Sequence, residues 1–173
     1  MIQRIQSLYL LIVSILMMFM LFLPIAEIAV ERKQVISEKE TADIKEIVIY
    51  KNYGAVIYSD NKAKTIFSTW PVTTMICITG LISFFTIFLY TSRMLQIRLC
   101  VFNALLFLGL SALTYYYFTA IRKQVNVSDL SIVGHTFKIS IIFPVIAFIL
   151  TFLAFRAVRR DELLVRSYER LRK

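Results

Sequence analysis

Four stretches of this chain, residues 8–26, 72–91, 99–120 and 139–155, contain no Asp, Glu, Lys, Arg or His. A helix rises about 1.5 Å per residue and the hydrocarbon core of a bilayer is about 30 Å thick, so roughly 20 apolar residues span it. Three of the runs reach that length. The fourth, 139–155, is shorter, but the aliphatic stems of Lys138 and Arg156 at its two ends can reach out to the interfaces. Of the 173 residues, 58% are hydrophobic, more than a water-soluble domain of this size carries. The expected fold is an all-α membrane protein with four transmembrane helices in a bundle. Its expected spans are 8–26, 72–91, 99–120 and 139–155, all within one membrane domain covering residues 1–173. A cleaved signal peptide is the alternative for the first run, since Arg4 precedes it. An h-region usually stops after about 7–15 residues at an A-x-A-like site. This run continues to Pro24, and Ala26-Glu27-Ile28-Ala29 has the wrong spacing of small residues, so an uncleaved helix is expected.

The net charge of +9 points to the membrane surface and not to nucleic acid, because the basic residues gather at the ends of the runs. Arg4 precedes the first run, and Arg93 and Arg98 fall in the connection between the second and third. Arg156, Arg159, Arg160, Arg166, Arg170, Arg172 and Lys173 follow the fourth. With four spans these segments share one side, which the positive-inside rule makes the cytoplasm. Both termini are therefore expected to be cytoplasmic. The two connections on the other side are 27–71, in which Lys and Arg are balanced by Asp and Glu, and 121–138. Cys77 and Cys100 fall at different depths, too far apart for a disulfide, and read as small packing residues.

Within the longer connection, residues 44–50 and 55–58 are rich in Ile, Val and Tyr and flank Lys51-Asn52-Tyr53-Gly54, the pattern of a β-hairpin. A third strand over 125–133, with Val125 and Val127 on one side and Asn126 on the other, would turn the hairpin into a three-stranded cap. An irregular solvated loop is the competing reading, and the charged stretch 31–46 suits it. Asn126-Val127-Ser128 matches a glycosylation acceptor, a three-residue pattern common by chance.

The tail after residue 155 places Leu163, Leu164, Tyr168 and Leu171 near helical spacing among basic residues, which predicts an amphipathic cytoplasmic helix. Its arginines either anchor the chain at the inner leaflet or contact a partner protein. Pro24 closes the first run, Pro71 opens the second after Trp70, and Pro144 lies several residues into the fourth. A proline inside a helix removes a donor and clashes with the preceding turn, so Pro144 predicts a kink, either a packing feature or a hinge.

Membrane helices associate by close packing and interhelical hydrogen bonds, because lipid is as apolar as leucine. Small and polar residues therefore mark contacts: Ser7 and Ser14 in the first run, Thr73, Cys77, Gly80 and Ser83 in the second, and Asn103, Gly109, Ser111 and Ala112 in the third. Asn103, the one amide within a run, is expected to hydrogen-bond a neighbouring helix. Ion-coupled transport normally needs an ionisable residue at membrane depth. The runs hold none, and Glu27 at the edge of the first is the nearest. There is no C-x-x-C pair for thiol redox chemistry and no glycine loop for phosphates. The lone His135, with Asp129 six residues away, forms no metal motif. No cofactor, metal or catalytic residue is implied.

The start Met1-Ile2-Gln3-Arg4-Ile5-Gln6-Ser7, leading into the first run and Pro24, carries a resemblance together with the tail Arg159-Arg160-Asp161-Glu162-Leu163-Leu164-Val165-Arg166-Ser167 and Arg170-Leu171-Arg172. The chain resembles, over its whole length, a family of inner-membrane proteins of Bacteroidota known only as a domain of unknown function. The resemblance implies four helices and a bacterial cytoplasmic membrane and brings no activity or catalytic residue. Three functions stay open. The first is a non-enzymatic accessory or scaffold subunit with the lipid bilayer and a membrane protein as partners. The second is a small transporter or channel for an uncharged or apolar solute with Pro144 as hinge. The third is an enzyme acting on lipid through Glu27, Asp129 or His135.

Overall fold

The computed structural model describes residues 3–37, 40–59, 62–89, 92–127 and 130–171. Along the chain run α1 (Gln3–Phe22), β1 (Ala26–Ser37), β2 (Glu40–Lys51), β3 (Gly54–Ser59), β4 (Lys62–Ser68), α2 (Trp70–Phe88), α3 (Arg93–Val127), β5 (Leu130–Phe137), a short 3₁₀ turn (Ile139–Ile142) and α4 (Phe143–Leu171). These elements form two compact units. The first holds Met1–Met20, Met75–Ser111 and Ile142–Lys173, the second Leu21–Thr74 and Ala112–Ile141.

The first unit is helical, and each helix buries one narrow stripe. In α1 the buried residues are Gln6, Leu10, Val13, Met17 and Met20; in α2, Ile76, Thr79, Ser83 and Thr86. In α3 they are Gln96, Cys100, Asn103, Phe107 and Leu110, and in α4, Pro144, Ala147, Thr151, Ala154 and Val158. Every stripe advances in alternating steps of three and four. That is the 3.5-residue period of helices packed nearly parallel or antiparallel to one another, knobs into holes. The close approaches are made by glycines: a Cβ on Gly80 would lie 3.4 Å from the Cβ of Met17, and one on Gly109 would lie 3.0 Å from the terminal methyl of Met75.

Away from the stripes the helices are apolar on the outside. Leu11, Ile15, Met18, Phe19 and Phe22 of α1 are exposed, as are Leu81, Phe84, Phe85 and Phe88 of α2. So are Phe102, Leu105 and Leu108 of α3 and Val145, Ile149 and Phe152 of α4. Three stretches, Trp70–Phe88, Met94–Val125 and Ile139–Leu164, are long and apolar enough to cross a membrane, and the apolar part of α1, Gln6–Phe22, is shorter.

The second unit is built on a five-stranded antiparallel sheet ordered β4-β3-β2-β1-β5. The expected hairpin is present: Lys51 pairs with Gly54, leaving Asn52 and Tyr53 as a two-residue turn. Gly54 is required by crowding, since a Cβ there would meet the carbonyl oxygen of Phe67 at 2.9 Å. The cap is larger than the two or three strands expected. The charged segment, which suits a loop by composition, is strand, with Glu31 opposite Lys45 and Lys33 opposite Asp43 in the β1–β2 ladder. The register aligns residue types of opposite charge, a pattern without an apolar alternation to advertise it.

The expected third strand also moves. Val125 and Val127 belong to α3, and the strand that joins the sheet is β5, paired with β1. The reason is that the buried stripe of α3 continues through Phe118, Ile121 and Val125. Arg93 and Arg98 likewise lie within α3 and not in a turn.

One face of the sheet carries the unit's core in β1, β2 and β3, with His135 and Phe137 of β5 exposed at its edge. Phe137, Ala26, Tyr50, Ala55 and Phe67 stand in one cross-strand row spanning all five strands, and His135, Ile28, Val48 and Ile57 in the next. Two alanines flank the buried Tyr50 ring and leave it room. α3 covers this face: Tyr117 meets Phe67 edge-on at 5.8 Å, and Phe118 packs on Phe137 at 4.9 Å and on His135 at 6.0 Å.

Candidate functional site

Within the first unit the chemistry-bearing side chains occupy two places. The first is a buried polar cluster. Asn103 donates from Nδ2 to Ser83 Oγ at 2.6 Å, and Ser83 in turn donates to the Thr79 carbonyl oxygen at 3.0 Å, so α2 and α3 are tied by a relay. Thr79 and Thr86 return their hydroxyl protons to carbonyls of their own helix, which lets them sit buried without outside partners. Asn103 Oδ1 and Thr151 Oγ1 are buried and have no hydrogen-bond partner among the described residues. These polar groups lie beside an apolar cluster of Leu10, Cys100 and Ala154, against which Tyr9, Ile87 and Phe155 pack.

The second place is a groove of about 510 Å³ between α1 and α4, lined by Tyr9, Leu153, Arg156, Arg160, Asp161 and Leu164. Helical spacing produces it. Arg156 and Arg160 are four apart and share a face, with Leu153 and Leu164 one turn beyond at either end. Leu153, Ala157 and Leu164 give it apolar lining, and Arg156, Arg160 and Asp161 charged lining. Volumes of about 300–1,000 Å³ with that division are usual for small-molecule sites.

The second unit separates the residues on which an enzyme would depend. Glu27 pairs with Thr136 and His135 with Ile28, so the alternation of a strand sends Glu27 and His135 to opposite faces of the sheet. Glu27 is bound to Lys138 Nζ at 2.8 Å, whereas the exposed His135 ring meets Phe118 at a tilt and Phe137 edge-on. Asp129 lies outside the described residues. Among the described residues no group of three His, Cys, Asp or Glu gathers as a metal site.

The buried hydroxyl of Tyr50 has no hydrogen-bond partner among the described residues. Burial, and secondarily the nearby Tyr117 phenol, push it well above its ordinary titration range. On the rim, Lys51 donates to Tyr58 Oη at 3.3 Å and sits over the Tyr53 and Tyr58 rings. Its ammonium is held above its ordinary range by these two phenols, Tyr53 first.

The residues expected to pack helices are thus dispersed. Ser83, Asn103 and Gly80 lie at helix contacts, and Gly109 faces Met75. Ser14 is half-buried in α1, while Ser111 is half-buried and bonds back to the Phe107 carbonyl oxygen. Thr73 instead serves the sheet unit. Its hydroxyl donates at 2.8 Å to the carbonyl oxygen of Asn52, helping Thr69 fasten the hairpin turn to the start of α2. Cys77 is exposed, off the buried stripe, and Cys100 is buried.

Pro144 is the second residue of α4, directly after the 3₁₀ turn. In the first turn of a helix a missing N–H breaks no bond, so the proline marks where the 3₁₀ turn gives way to α-helix. The kink expected inside a continuous helix is corrected accordingly. Arg156, Arg159 and Arg160 are exposed on α4; Arg166 and Arg170 also belong to α4, and Arg172 lies outside the described residues. Tyr9, Gln6, Gln96 and Thr151 carry no motif in the sequence, though each is a polar group at an end of, or inside, an apolar run.

A family model, Domain of unknown function (DUF4293), matches residues 2–171. The chain belongs to this family. Membership in DUF4293 covers nearly the whole chain, so both units are features of the family's domain and neither is an addition to it. No curated protein matches the chain in sequence. The site residues of this DUF4293 member therefore rest on its own chemistry.

Proposed function

We propose that all four helices cross the membrane as a bundle, with both termini and the α2–α3 connection on the cytoplasmic side of a bacterial inner membrane. We further propose that the protein serves there as a non-enzymatic accessory or scaffold subunit. The observation that carries the membrane reading is the apolar outer surface of the first unit. Large Leu, Ile and Phe side chains are exposed along every helix, while the polar Gln6, Thr79, Ser83, Gln96, Asn103 and Thr151 share the buried stripes with apolar residues such as Leu10, Ile76 and Phe107. In water this arrangement exposes its oil and buries its polar groups; in lipid the same arrangement satisfies both.

α1 completes the count of four because its 20 residues rise about 30 Å, a bilayer's hydrocarbon thickness. At 35 residues α3 is about 50 Å long, so its last turns stand clear of the hydrocarbon and carry the sheet. Trp70, Tyr115 and Tyr116, all exposed, suit the interface on that side, and Arg98, Arg156, Arg159 and Arg160 suit the cytoplasmic side.

The scaffold reading is supported by the sheet face not covered by α3. Ile47 and the directly opposite Tyr58 are exposed there, beside Lys51 and the turn residue Tyr53. Antiparallel sheets usually keep polar side chains on a solvent face, and exposed aromatics with a cation are the residues that anchor protein contacts. Crosslinking in native membranes followed by mass spectrometry tests this. A partner attached through the sheet supports a subunit role, and a monodisperse monomer with no attached protein under several mild detergents contradicts it.

Transport of a small uncharged solute has one observation in its favour, the buried Asn103 Oδ1 and Thr151 Oγ1 without partners among the described residues. Under that reading Asn103→Leu abolishes solute flux into liposomes. Equal flux for the two proteins, or none for either, ends it.

A further inference from the structure

We propose that the groove between α1 and α4 seats the headgroup of an anionic glycerophospholipid, its phosphodiester held by Arg156 and Arg160. The inference rests on the membrane reading and goes beyond it by giving one site a lipid of stated chemistry. Depth is the first argument. Arg156 is the first charged residue after the uncharged run 139–155, and Arg160 lies one turn further, so their guanidinium groups stand at the level where hydrocarbon gives way to headgroups. Leu153, 39% exposed and one turn before Arg156, continues outward to the exposed Phe152 and Ile149, which provide a wall for an acyl chain.

Charge is the second argument. Among the described residues, the lining holds two guanidinium groups, Arg156 and Arg160, and one carboxylate, Asp161, a balance of one positive charge. A phosphodiester carries one negative charge and matches it, whereas a free phosphate monoester carries nearly two and meets the carboxylate's repulsion. Arginine's planar fork suits two phosphate oxygens at once. Tyr9 lines the groove from α1, and its phenol is a side chain that can donate a hydrogen bond. The geometry differs from a merely basic tail, because Arg159 is exposed on the same helix but does not line the groove.

The test uses the full chain purified in mild detergent and mixed with phosphatidylglycerol, phosphatidylcholine or glycerol 3-phosphate, with bound lipid counted by native mass spectrometry. The wild type retains phosphatidylglycerol over phosphatidylcholine, and glycerol 3-phosphate at the same concentration does not displace it. Arg156→Gln with Arg160→Gln lowers retention by roughly 10-fold or more, the loss expected when two arginine contacts to an anionic headgroup go.

Arg159→Gln leaves retention unchanged. Should the glutamine variant fold poorly, Arg156→Lys with Arg160→Lys keeps the charge, loses the fork, and retains an intermediate amount. Equal retention of the two lipids, displacement by glycerol 3-phosphate, or an equal loss in Arg159→Gln overturns the proposal. If the chain stays in carbonate-washed membranes while showing no lipid preference, only this proposal fails. Recovery of the chain without detergent removes the membrane reading as well.

Discussion

Asn103 of α3 and Ser83 of α2 are joined by a 2.6 Å hydrogen bond from Nδ2 to Oγ, buried among apolar side chains. In lipid the alternative partner for either group is nothing at all, yet measured interhelical bonds average about 0.6 kcal/mol because a loosened helix finds other partners. Asn103→Ala is therefore expected to destabilise the detergent-solubilised protein by about 0.5–1.5 kcal/mol, and Asn103→Asp by more, since it places an unpaired acid in the same position. Unfolding in mixed micelles measures both. A silent Asn103→Ala would mean that the bond carries no packing energy.

The approach of α1 to α2 is set at Gly80. An added Cβ meets Met17 Cβ at 3.4 Å, an ordinary contact, so Gly80→Ala is expected to be tolerated. Gly80→Leu has to push the helices apart and is expected to cost about 1–3 kcal/mol, as overpacking does. Equal stability of the two variants would show that the helices do not pack through this residue.

Tyr50 gives a pH signature to the sheet unit. Its phenol is raised above its ordinary value of 10.0 by burial, so the folded state favours the neutral form. That contribution is fully present below about pH 10 and is lost as pH climbs above it, because the unfolded chain ionises first. Thermal unfolding followed from about pH 8 to about pH 11 should show the wild type falling more steeply at the alkaline end than Tyr50→Phe. Near neutrality Tyr50→Phe should match or exceed the wild type, since it removes a buried hydroxyl lacking a partner among the described residues.

Phe118 holds the β5 edge of the sheet through its contacts with Phe137 and His135. It is 3% exposed, and truncation to Ala is expected to cost about 3–5 kcal/mol, with Phe118→Leu costing less. Hydrogen exchange should locate the loss in β5 and its partner β1. Protection left intact in both strands would show that α3 does not clamp the sheet.

How much of the fold is legible in the residues depends on how loudly each signal is written. The apolar runs are conspicuous because these helices are apolar on their outer surface as well as along their buried stripes. That same property hides which face packs: Thr73, Cys77, Gly80 and Ser83 form a stripe of small residues by spacing, yet the buried stripe of α2 runs through Ile76, Thr79, Ser83 and Thr86. The hairpin is legible from β-branched residues around Asn52 and Tyr53. Strand β1 is not, because its far half is charged and lacks an apolar alternation, and one of its two partners, β5, lies about a hundred residues away in sequence. Val125 and Val127 alternate like a strand, but burial of Ile121 and Val125 on one helical stripe outweighs two residues of β preference. The groove is half legible: its arginines stand out, and Tyr9 on another helix does not.

Sidedness of single cysteines tests the central claim most directly. In a chain with Cys77 and Cys100 changed to Ser, a cysteine is placed in turn at Gln3, Tyr53, Ser92 and Ser167 and treated with a membrane-impermeant maleimide in intact spheroplasts. Four crossings place Tyr53→Cys outside, labelled at once, and Gln3→Cys, Ser92→Cys and Ser167→Cys inside, labelled only after permeabilisation. Labelling of Gln3→Cys from the same side as Tyr53→Cys would mean that α1 does not cross, and would contradict the account.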